Sequence, residues 1–227
     1  MSLGIVVAVR NAEATLADAL HSITTEVATV SPLMIDIVVI DGDSTDSSAR
    51  IAADTPGVRV ISQWGRGLAR ARNQGIDEVR GDLIAFLDAD DRWAEGSLLR
   101  RLRALEAEPG AIGVVGMMTI EPVPGARMSD RQRTRLGRPR PAFTPGALVA
   151  HRRAFDVIGG FDERLAIAAD SEWFARARSS GHRVALLDEP VLVKGARDDS
   201  LSTDVDLYRR ELLSVVRRFA ARRDQSA

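Results

Sequence analysis

The sequence places three aspartates directly after a run of apolar residues: Asp88, Asp90 and Asp91 follow the segment 83–87. Carboxylates this close repel one another unless a cation or hydrogen-bond donors neutralise them. Mg²⁺ prefers oxygen ligands and commonly binds one or two carboxylates together with substrate phosphates. Alternate residues of an extended chain point the same way, so we expect Asp88 and Asp90 to share a face suited to a metal-bound diphosphate. A solvated turn, with Asp91 as the cap of the next helix, is the structural alternative.

A second acidic turn, which contains Asp41 and Asp43, follows the apolar segment 35–40. Asp-Gly pairs are common in turns, and Ser44 or Thr45 could cap the following helix, so the turn taken alone favours a structural role. Its expected position at a neighbouring strand end is what makes it a candidate binding element.

Two further positions carry residue types that could act on a substrate. Arg72 lies in a predicted helix after Gly65 and Gly67, where it could approach a phosphate, although a tight turn with exposed arginines explains the same spacing. Asp170 begins another predicted helix and is a candidate general base if it borders a cleft. Spacing by itself favours an N-cap role for Asp170.

The elements that must position these residues alternate, in the first half of the chain, between apolar strands and amphipathic helices. Strands are predicted at residues 5–9, 35–40, 58–61 and 83–87, and helices at 16–23, 68–79 and 98–105. Asn11 is the predicted cap of the first helix. Continuous apolar strands separated by helices predict a mostly parallel sheet covered on both faces. Such sheets bind ligands beyond the carboxyl ends of their strands, where the aspartates lie.

The second half of the chain is less regular. Strands are predicted at 112–118, 147–150, 184–187 and 191–193, with a short helix from Arg152 and a longer one from Asp170. The segment 121–141 is rich in Pro, Gly and Arg, which predicts a surface loop. The last predicted helix, 207–223, has a basic face that could contact anionic lipid at the inner membrane surface. Packing of its apolar residues on the domain, or on a second subunit of a homodimer, explains the same pattern.

Composition narrows the functional classes. The 227 residues are 45% hydrophobic, include no cysteine and carry a formal net charge of −1. The apolar content suffices for a sizeable core, the lack of cysteine excludes disulfides and thiolate metal sites, and the charge gives no field that recruits nucleic acid. No apolar stretch approaches the roughly 20 residues of a membrane span. Together these features predict a soluble, cytoplasmic protein.

Six short motifs, taken in chain order, resemble those of the inverting family 2 glycosyltransferases of the GT-A fold. They lie at residues 5–11, 38–46, 67–75, 87–91, 159–163 and 170–174, and include Asp88-Ala89-Asp90. Each motif is short, but their order is that of the family. The resemblance implies an α/β fold with a mostly parallel central sheet flanked by helices. It also implies transfer of a sugar from a nucleoside diphosphate sugar to a hydroxyl acceptor.

The resemblance implies a role for each site residue. The donor-binding set is Ala8, Val9, Asn11, Asp41, Asp43, Arg72, Asp88, Ala89 and Asp90. Within it, Asp41 would hold the base and ribose, Asp88 the ribose, and Asp90 a Mg²⁺ or Mn²⁺ ion that bridges the diphosphate. Asp170 would deprotonate the acceptor hydroxyl of a glycan, lipid-linked or small molecule, and attack of that oxygen would invert the anomeric carbon. On this basis residues 1–227 form one domain: a donor-binding half (1–118), an acceptor-side half (119–204) and a basic C-terminal helix (205–227).

Four positions depart from the family pattern. Arg10 replaces a common aromatic residue, Gly42 the second acid of the base-reading pair, and Ala169 the acid before the catalytic aspartate. Arg197 stands where many relatives carry a histidine. An arginine cannot ligate a cation, but it could bind the diphosphate directly.

Two other functions are compatible with such a fold. A sugar nucleotidyltransferase would usually have a Gly-rich phosphate loop after the first strand, where this chain reads Arg10-Asn11-Ala12-Glu13. Gly42, Ala169 and Arg197 leave open a binding or scaffold protein without turnover. The retained Asp88, Asp90 and Asp170 oppose that reading.

Overall fold

The computed structural model describes residues 1–30, 32–123, 125, 127–128, 133–196 and 204–224. Of residues 221–224 it describes only the backbone. One sheet of nine strands runs through the described part of the chain. The strands are β1 (Ser2–Val9), β2 (Met34–Asp41), β3 (Val58–Ser62), β4 (Leu83–Asp88), β5 (Arg92–Trp93), β6 (Ala111–Pro122), β7 (Arg140–Pro141), β8 (Val149–His151) and β9 (Arg183–Ala196).

Helices cover this sheet. They are α1 (Leu16–Ala28), α2 (Ser48–Ala53), α3 (Leu68–Glu78), α4 (Ser97–Ala107), α5 (Arg153–Val157), α6 (Ala169–Ser179) and α7 (Val205–Asp224), with a 3₁₀ turn at Pro145–Ala147. The expectation of an α/β fold with a mostly parallel central sheet flanked by helices is confirmed. Among the described helices, none is both long and apolar enough to cross a membrane.

The strand order explains how distant acidic turns become neighbours. The order is β3-β2-β1-β4-β8-β6-β9-β5, with β7 paired to β6, and the first four strands are parallel. Register places Val9 of β1 beside Asp41 of β2, and Ala8 of β1 beside Asp88 of β4. The two acidic turns therefore leave the same edge of the sheet, one strand apart.

The core lies on both faces of these parallel strands, because the strands are apolar at consecutive positions. Helix α3 approaches β1 closely at Gly75, where an added Cβ would lie 2.1 Å from Val6 Cγ1. On the second half of the sheet, the ring of Phe86 meets those of Phe155 and Phe161 edge-on, and Phe155 stacks on Trp173. This aromatic cluster anchors the start of α6 to strand β4.

Three local predictions are wrong. The two short strands predicted at 184–187 and 191–193 form the single strand β9, because pairing with β6 continues past Pro190 through a register shift. The bounds of the predicted loop, 121–141, are wrong, because its two ends pair within the sheet as parts of β6 and β7; its residues 124, 126 and 129–132 lie outside the described residues. Asn11 is not a helix cap, because α1 begins after Thr15.

Candidate active site

One part of the candidate site is the turn after β2. Asp41 accepts a hydrogen bond from the Ser44 amide at 3.3 Å through Oδ2, whereas its Oδ1 is buried and has no hydrogen-bond partner in the described part of the chain. A buried carboxylate oxygen without a donor is costly. The Asp41 carbonyl accepts from the Gln63 amide at 2.8 Å, so β3 fixes its backbone. The unsatisfied oxygen is thus a ready acceptor for a ligand donor.

Hydrogen bonds join the loop after β1 to the loop after β2. Asn11 has a left-handed φ of 49°, and its Oδ1 accepts from the Thr45 amide at 2.8 Å. The Asn11 amide donates to Ser44 Oγ at 3.0 Å. Asp43, which also has a positive φ (57°), is exposed at the tip of its turn. Asn11 therefore acts here as a brace between the two loops.

The cap role suggested for Ser44 or Thr45 is wrong, because α2 begins after Ser47 and the Ser48 amide donates to Asp46.

A second part of the candidate site is the acidic turn, defined as residues 88–91. Strand β4 ends at Asp88, and the Asp91 amide donates to the Asp88 carbonyl at 3.0 Å. The chain turns there, so the alternation argument for Asp88 and Asp90 does not apply beyond the strand. Arg72 Nη2 donates to Asp88 Oδ1 at 2.6 Å. Although burial opposes it, the guanidinium of Arg72, with Lys194, holds the pKa of Asp88 below its usual range.

Asp91 points inward and is 1% exposed. Its Oδ2 lies 3.2 Å from Lys194 Nζ, and its Oδ1 accepts from the Gly195 amide at 3.0 Å. Burial raises its pKa to about 7, with the charges of Asp90 and Asp88 in the same direction and Lys194 opposing. The cap role suggested for Asp91 is wrong, since α4 begins after Gly96.

Asp170 lies in the first turn of α6, two residues after the cap position Ala168. The N-cap alternative for Asp170 is therefore wrong by position, although its Oδ1 accepts from the Ser171 amide at 2.8 Å. Burial raises the pKa of Asp170; the positive charge of Arg72 opposes this rise and the negative charge of Asp88 adds to it. The charges of Arg72 and Asp88 therefore act on Asp170, which lies within electrostatic range of this pair.

The turn at 159–163 holds α6 against α3. Trp173 Nε1 donates to the Gly159 carbonyl at 2.9 Å, and Arg176 Nη2 donates to the Gly160 carbonyl at 2.6 Å. From the other side, Asn73 exchanges two hydrogen bonds with the backbone of Phe161, at 2.7 and 2.9 Å. The helix that carries Asp170 and the helix that carries Arg72 are thereby joined through one turn.

The structure brings most of the predicted donor set to one edge of the sheet. Paired strand ends or direct contacts link Ala8, Val9, Asn11, Asp41, Arg72 and Asp88. Ala89 and Asp90 occupy the middle of the acidic turn, with Ala89 buried. Arg197 lies outside the described residues.

Lys194 is a site residue that sequence analysis missed. The signal available in the sequence was that Lys194 is the only lysine of the chain. The strand predicted at 191–193 ended before Lys194, so the sequence did not show that this residue reaches the acidic turn.

Two residues after β3 were also missed. An added Cβ at Gly42 would lie 2.8 Å from Gln63 Oε1, so Gln63 fills the space that a side chain at position 42 would take. Trp64 follows and is 61% exposed, while its amide is fixed by a 2.7 Å hydrogen bond to Gln74. A tryptophan three residues after the predicted strand 58–61 was the signal available in the sequence.

Two open cavities of about 470 and 430 Å³ lie away from this site. The larger is lined at the opposite ends of β1 and β2 by Ser2, Met34 and Arg59, and the smaller by His21 and Pro56 beside α1. The acidic side chains identify the candidate site better than cavity size does, because they lie at the carboxyl edge of the strands, where such sheets bind ligands.

These features define an α/β fold of the GT-A type, and solved structures of that class resemble it. The crystal structure of S. aureus TarS 1–349 in complex with UDP matches with a TM-score of 0.68, at 17% identity over 87% of this chain and 61% of that chain. TarS 1–349 in complex with UDP-GlcNAc matches with a TM-score of 0.65, at 18% identity over 90% and 61% of the two chains. The family model of glycosyl transferase family 2 matches residues 4–161, and the chain belongs to that family.

Several curated relatives are named as glycosyltransferases. The uncharacterized glycosyltransferase EpsJ of Bacillus subtilis is 28% identical over 191 residues, which are 74% of this chain and 54% of that protein. The Escherichia coli protein WfaP, a UDP-Glc:alpha-D-GlcNAc-diphosphoundecaprenol beta-1,3-glucosyltransferase, is 32% identical over 77 residues, 33% of this chain and 31% of that protein. The match spans about half the length of EpsJ and less of WfaP.

Proposed function

We propose that this chain transfers a sugar from a nucleoside diphosphate sugar to a hydroxyl acceptor with inversion. The observation that carries the proposal is the convergence of Asp170 with the Arg72–Asp88 pair and the acidic turn. A basic carboxylate beside a diphosphate-binding edge is what an inverting transferase requires, since one group must accept a proton as the leaving group departs.

The donor nucleotide is assigned to the edge formed by β1, β2 and β3. Asp41 Oδ1, buried without a donor among the described residues, accepts a hydrogen bond from the base or ribose. The exposed indole of Trp64 offers a stacking face for the base. Gln63 replaces the missing acid at position 42 as the polar group that borders the base. Uridine nucleotides are the first probes, because TarS is solved with UDP and the name of WfaP includes UDP-Glc.

Asp170 is the proposed general base. Its raised pKa makes the ionised carboxylate a better proton acceptor than an ordinary aspartate. It removes the proton of the acceptor hydroxyl as that oxygen attacks the anomeric carbon from the face opposite the diphosphate. The new C–O bond forms while the bond to the diphosphate oxygen breaks, which inverts the carbon. Arg72, joined to Asp88 at the donor edge, supplies positive charge near the leaving group.

A divalent ion is assigned to Asp90. The described residues contain no group of three or more Asp, Glu or His side chains that could hold a metal by themselves. Asp88 and Asp91 are each paired with a cation of the chain, and the motif resemblance assigns the ion to the carboxylate of Asp90. One carboxylate with diphosphate oxygens is a donor set that Mg²⁺ and Mn²⁺ accept. Bound there, the metal would neutralise charge on the leaving diphosphate.

A thermal-shift panel tests this function. The chain is heated with nucleoside diphosphates and nucleotide sugars, with and without Mn²⁺, and the best donor is then assayed for hydrolysis and transfer. We expect one nucleotide to raise the Tm selectively and its sugar to be released with inverted configuration. Stabilisation without turnover would identify a binding protein, and no stabilisation by any nucleotide would contradict the proposal.

A further inference from the structure

The only lysine of the chain lies against the acidic turn. Lys194 Nζ is 3.2 Å from Asp91 Oδ2, and its side chain is 24% exposed while that of Asp91 is 1% exposed. Every other residue among the 31 that are lysine or arginine is an arginine. A lysine presents a compact point charge, whereas a guanidinium spreads its charge over a planar fork.

Backbone contact fixes Lys194 in this place. The neighbouring Gly195 donates its amide to Asp91 Oδ1 at 3.0 Å, and an added Cβ at Gly195 would lie 2.2 Å from the Asp90 carbonyl oxygen. Only glycine permits strand β9 to approach the acidic turn so closely. The packing of these two main-chain segments therefore holds the Lys194 backbone beside the acidic turn, which keeps its ammonium group within reach of Asp91.

Charge balance at the site depends on this ammonium group. Among the described residues, the carboxylates of Asp88, Asp90, Asp91 and Asp170 each interact electrostatically with Arg72, Lys194 or both. Loss of Lys194 would leave Asp91 without the cation that contacts it and would make the potential at the acidic turn more negative. Such a cluster attracts a divalent ion strongly in a partly buried site. With Lys194 present, an approaching ion meets a positive charge already in contact with one carboxylate.

A nucleoside diphosphate changes that balance. It brings negative charge and the oxygen ligands that complete the coordination of a divalent ion. The Lys194 side chain is 24% exposed, and its ammonium group has three N–H donors, so a diphosphate oxygen can accept one of its hydrogen bonds.

We propose that Lys194 is a resident counter-ion of the acidic turn, and that because of it a divalent cation binds this turn only together with a nucleoside diphosphate. The inference rests on the proposed function, since it assigns the diphosphate of the donor to this turn. It adds a residue and an order of binding to that function.

Mn²⁺ binding to the full chain tests the proposal by calorimetry and thermal shift, with Mn²⁺ alone, UDP alone and both together. For the parent chain, we expect no response to Mn²⁺ alone and a clear response when UDP is present. Lys194→Met should lower the Tm in EDTA and should bind Mn²⁺ without UDP at least about tenfold more tightly than the parent, a difference of about 1.4 kcal/mol. Lys194→Arg keeps the positive charge and should resemble the parent.

Arg152→Met is the matched control for loss of a partly buried cation. Arg152 donates to the Gly81 and Ile76 carbonyls at 2.7 and 2.9 Å, at the far end of β4, so its loss should lower the Tm without a response to Mn²⁺. Lys194→Gln replaces Lys194→Met if the latter does not fold.

Two results would overturn the proposal: Mn²⁺ alone binding the parent as tightly as it does with UDP, or a folded variant without the positive charge that stays unresponsive to Mn²⁺. If neither UDP nor another nucleotide of the panel binds any of these proteins, the proposed transferase function is wrong instead. The measurements with Mn²⁺ alone still test whether Lys194 acts as a counter-ion.

Discussion

Arg72 and Asp88 form an ion pair of 2.6 Å that joins helix α3 to the end of strand β4. The side chains are 5% and 19% exposed, so neither charge is well solvated without the other. Removing one partner of a buried pair typically costs about 3–5 kcal/mol, because the other charge is left uncompensated. Arg72→Met should therefore lower the free energy of unfolding by about that amount, measured by urea denaturation.

The double variant Arg72→Met/Asp88→Asn provides the control for this prediction. It should lose less stability than the sum of the two single variants, because it leaves no unpaired charge. Additive losses would mean that the two side chains do not interact in solution. Binding of UDP should be weaker in both variants that lack Arg72, if this guanidinium lies beside the diphosphate.

Asp170→Asn should keep the fold and nucleotide binding but lower kcat by about 10²–10⁴-fold, the usual contribution of a general base. Because burial raises the pKa of Asp170, the parent should lose activity as the pH falls through a midpoint above that of an ordinary aspartate. The base works only when ionised, so kcat/KM should rise with pH across that midpoint. Asp156→Asn, at an exposed position of α5, is the control. Near-parental turnover of Asp170→Asn would remove Asp170 from this role.

Trp64 should report nucleotide binding by fluorescence. It is the exposed one of three tryptophans, with Trp93 and Trp173 4% and 0% exposed. We expect UDP to quench the emission of the parent, Trp64→Phe to lose the signal with little change in affinity, and Trp64→Ala to bind about tenfold more weakly because stacking is lost. Trp93→Phe is the control and should keep the signal. Unchanged affinity of Trp64→Ala would refute the stacking contact.

Glu211 of α7 supports the segment before the proposed base. Its carboxylate accepts from the amides of Ala166, Ile167 and Ala168 at 2.8, 3.0 and 2.9 Å, directly before α6. Hydrogen bonds to a charged group contribute about 1.5–3 kcal/mol, so Glu211→Gln should lower the free energy of unfolding by up to that amount.

The same substitution should also reduce kcat more than UDP affinity, because the start of α6 carries Asp170 and not the nucleotide edge. Asp206→Asn, at an exposed position of the same helix, should change neither quantity. Equal losses of kcat and UDP affinity would indicate a general loosening of the fold instead.

The exposed residues of α7 do not test either of the two sequence predictions made for this helix. Leu213 and Val216 are 57% and 56% exposed, whereas Val215 is buried. Membrane contact and a homodimer both remain predictions for this surface. Arg222 and Arg223, part of the predicted basic face, have side chains outside the described part of the chain.

Much of the first half could be predicted from the sequence, because its strands are continuous apolar runs and its acidic residues follow them directly. The strands ending at Asp41 and Asp88 were predicted within a residue. The family was indicated by six motifs in order, and the family model confirms it. Local composition determines these features, since apolar runs and turn residues act over a few neighbours.

The second half depended on pairing that no local pattern reveals. Strand β9 contains Pro190 and polar residues, and it is one strand because β6 lies beside it. For the same reason the sequence did not show that Lys194 meets Asp91, 103 positions away. The role of Asn73 as a brace for Phe161 was also invisible, because the partner lies 88 positions along the chain.

The sequence by itself determined which residues are acidic, where the parallel strands lie and to which family the chain belongs. Only the tertiary structure decided which carboxylates are paired, which oxygen of Asp41 lacks a donor and which cation meets the acidic turn. Side-chain chemistry and periodicity are encoded locally. Burial and charge pairing are set by contacts between segments far apart in the chain, and the ionisation of each group depends on those contacts.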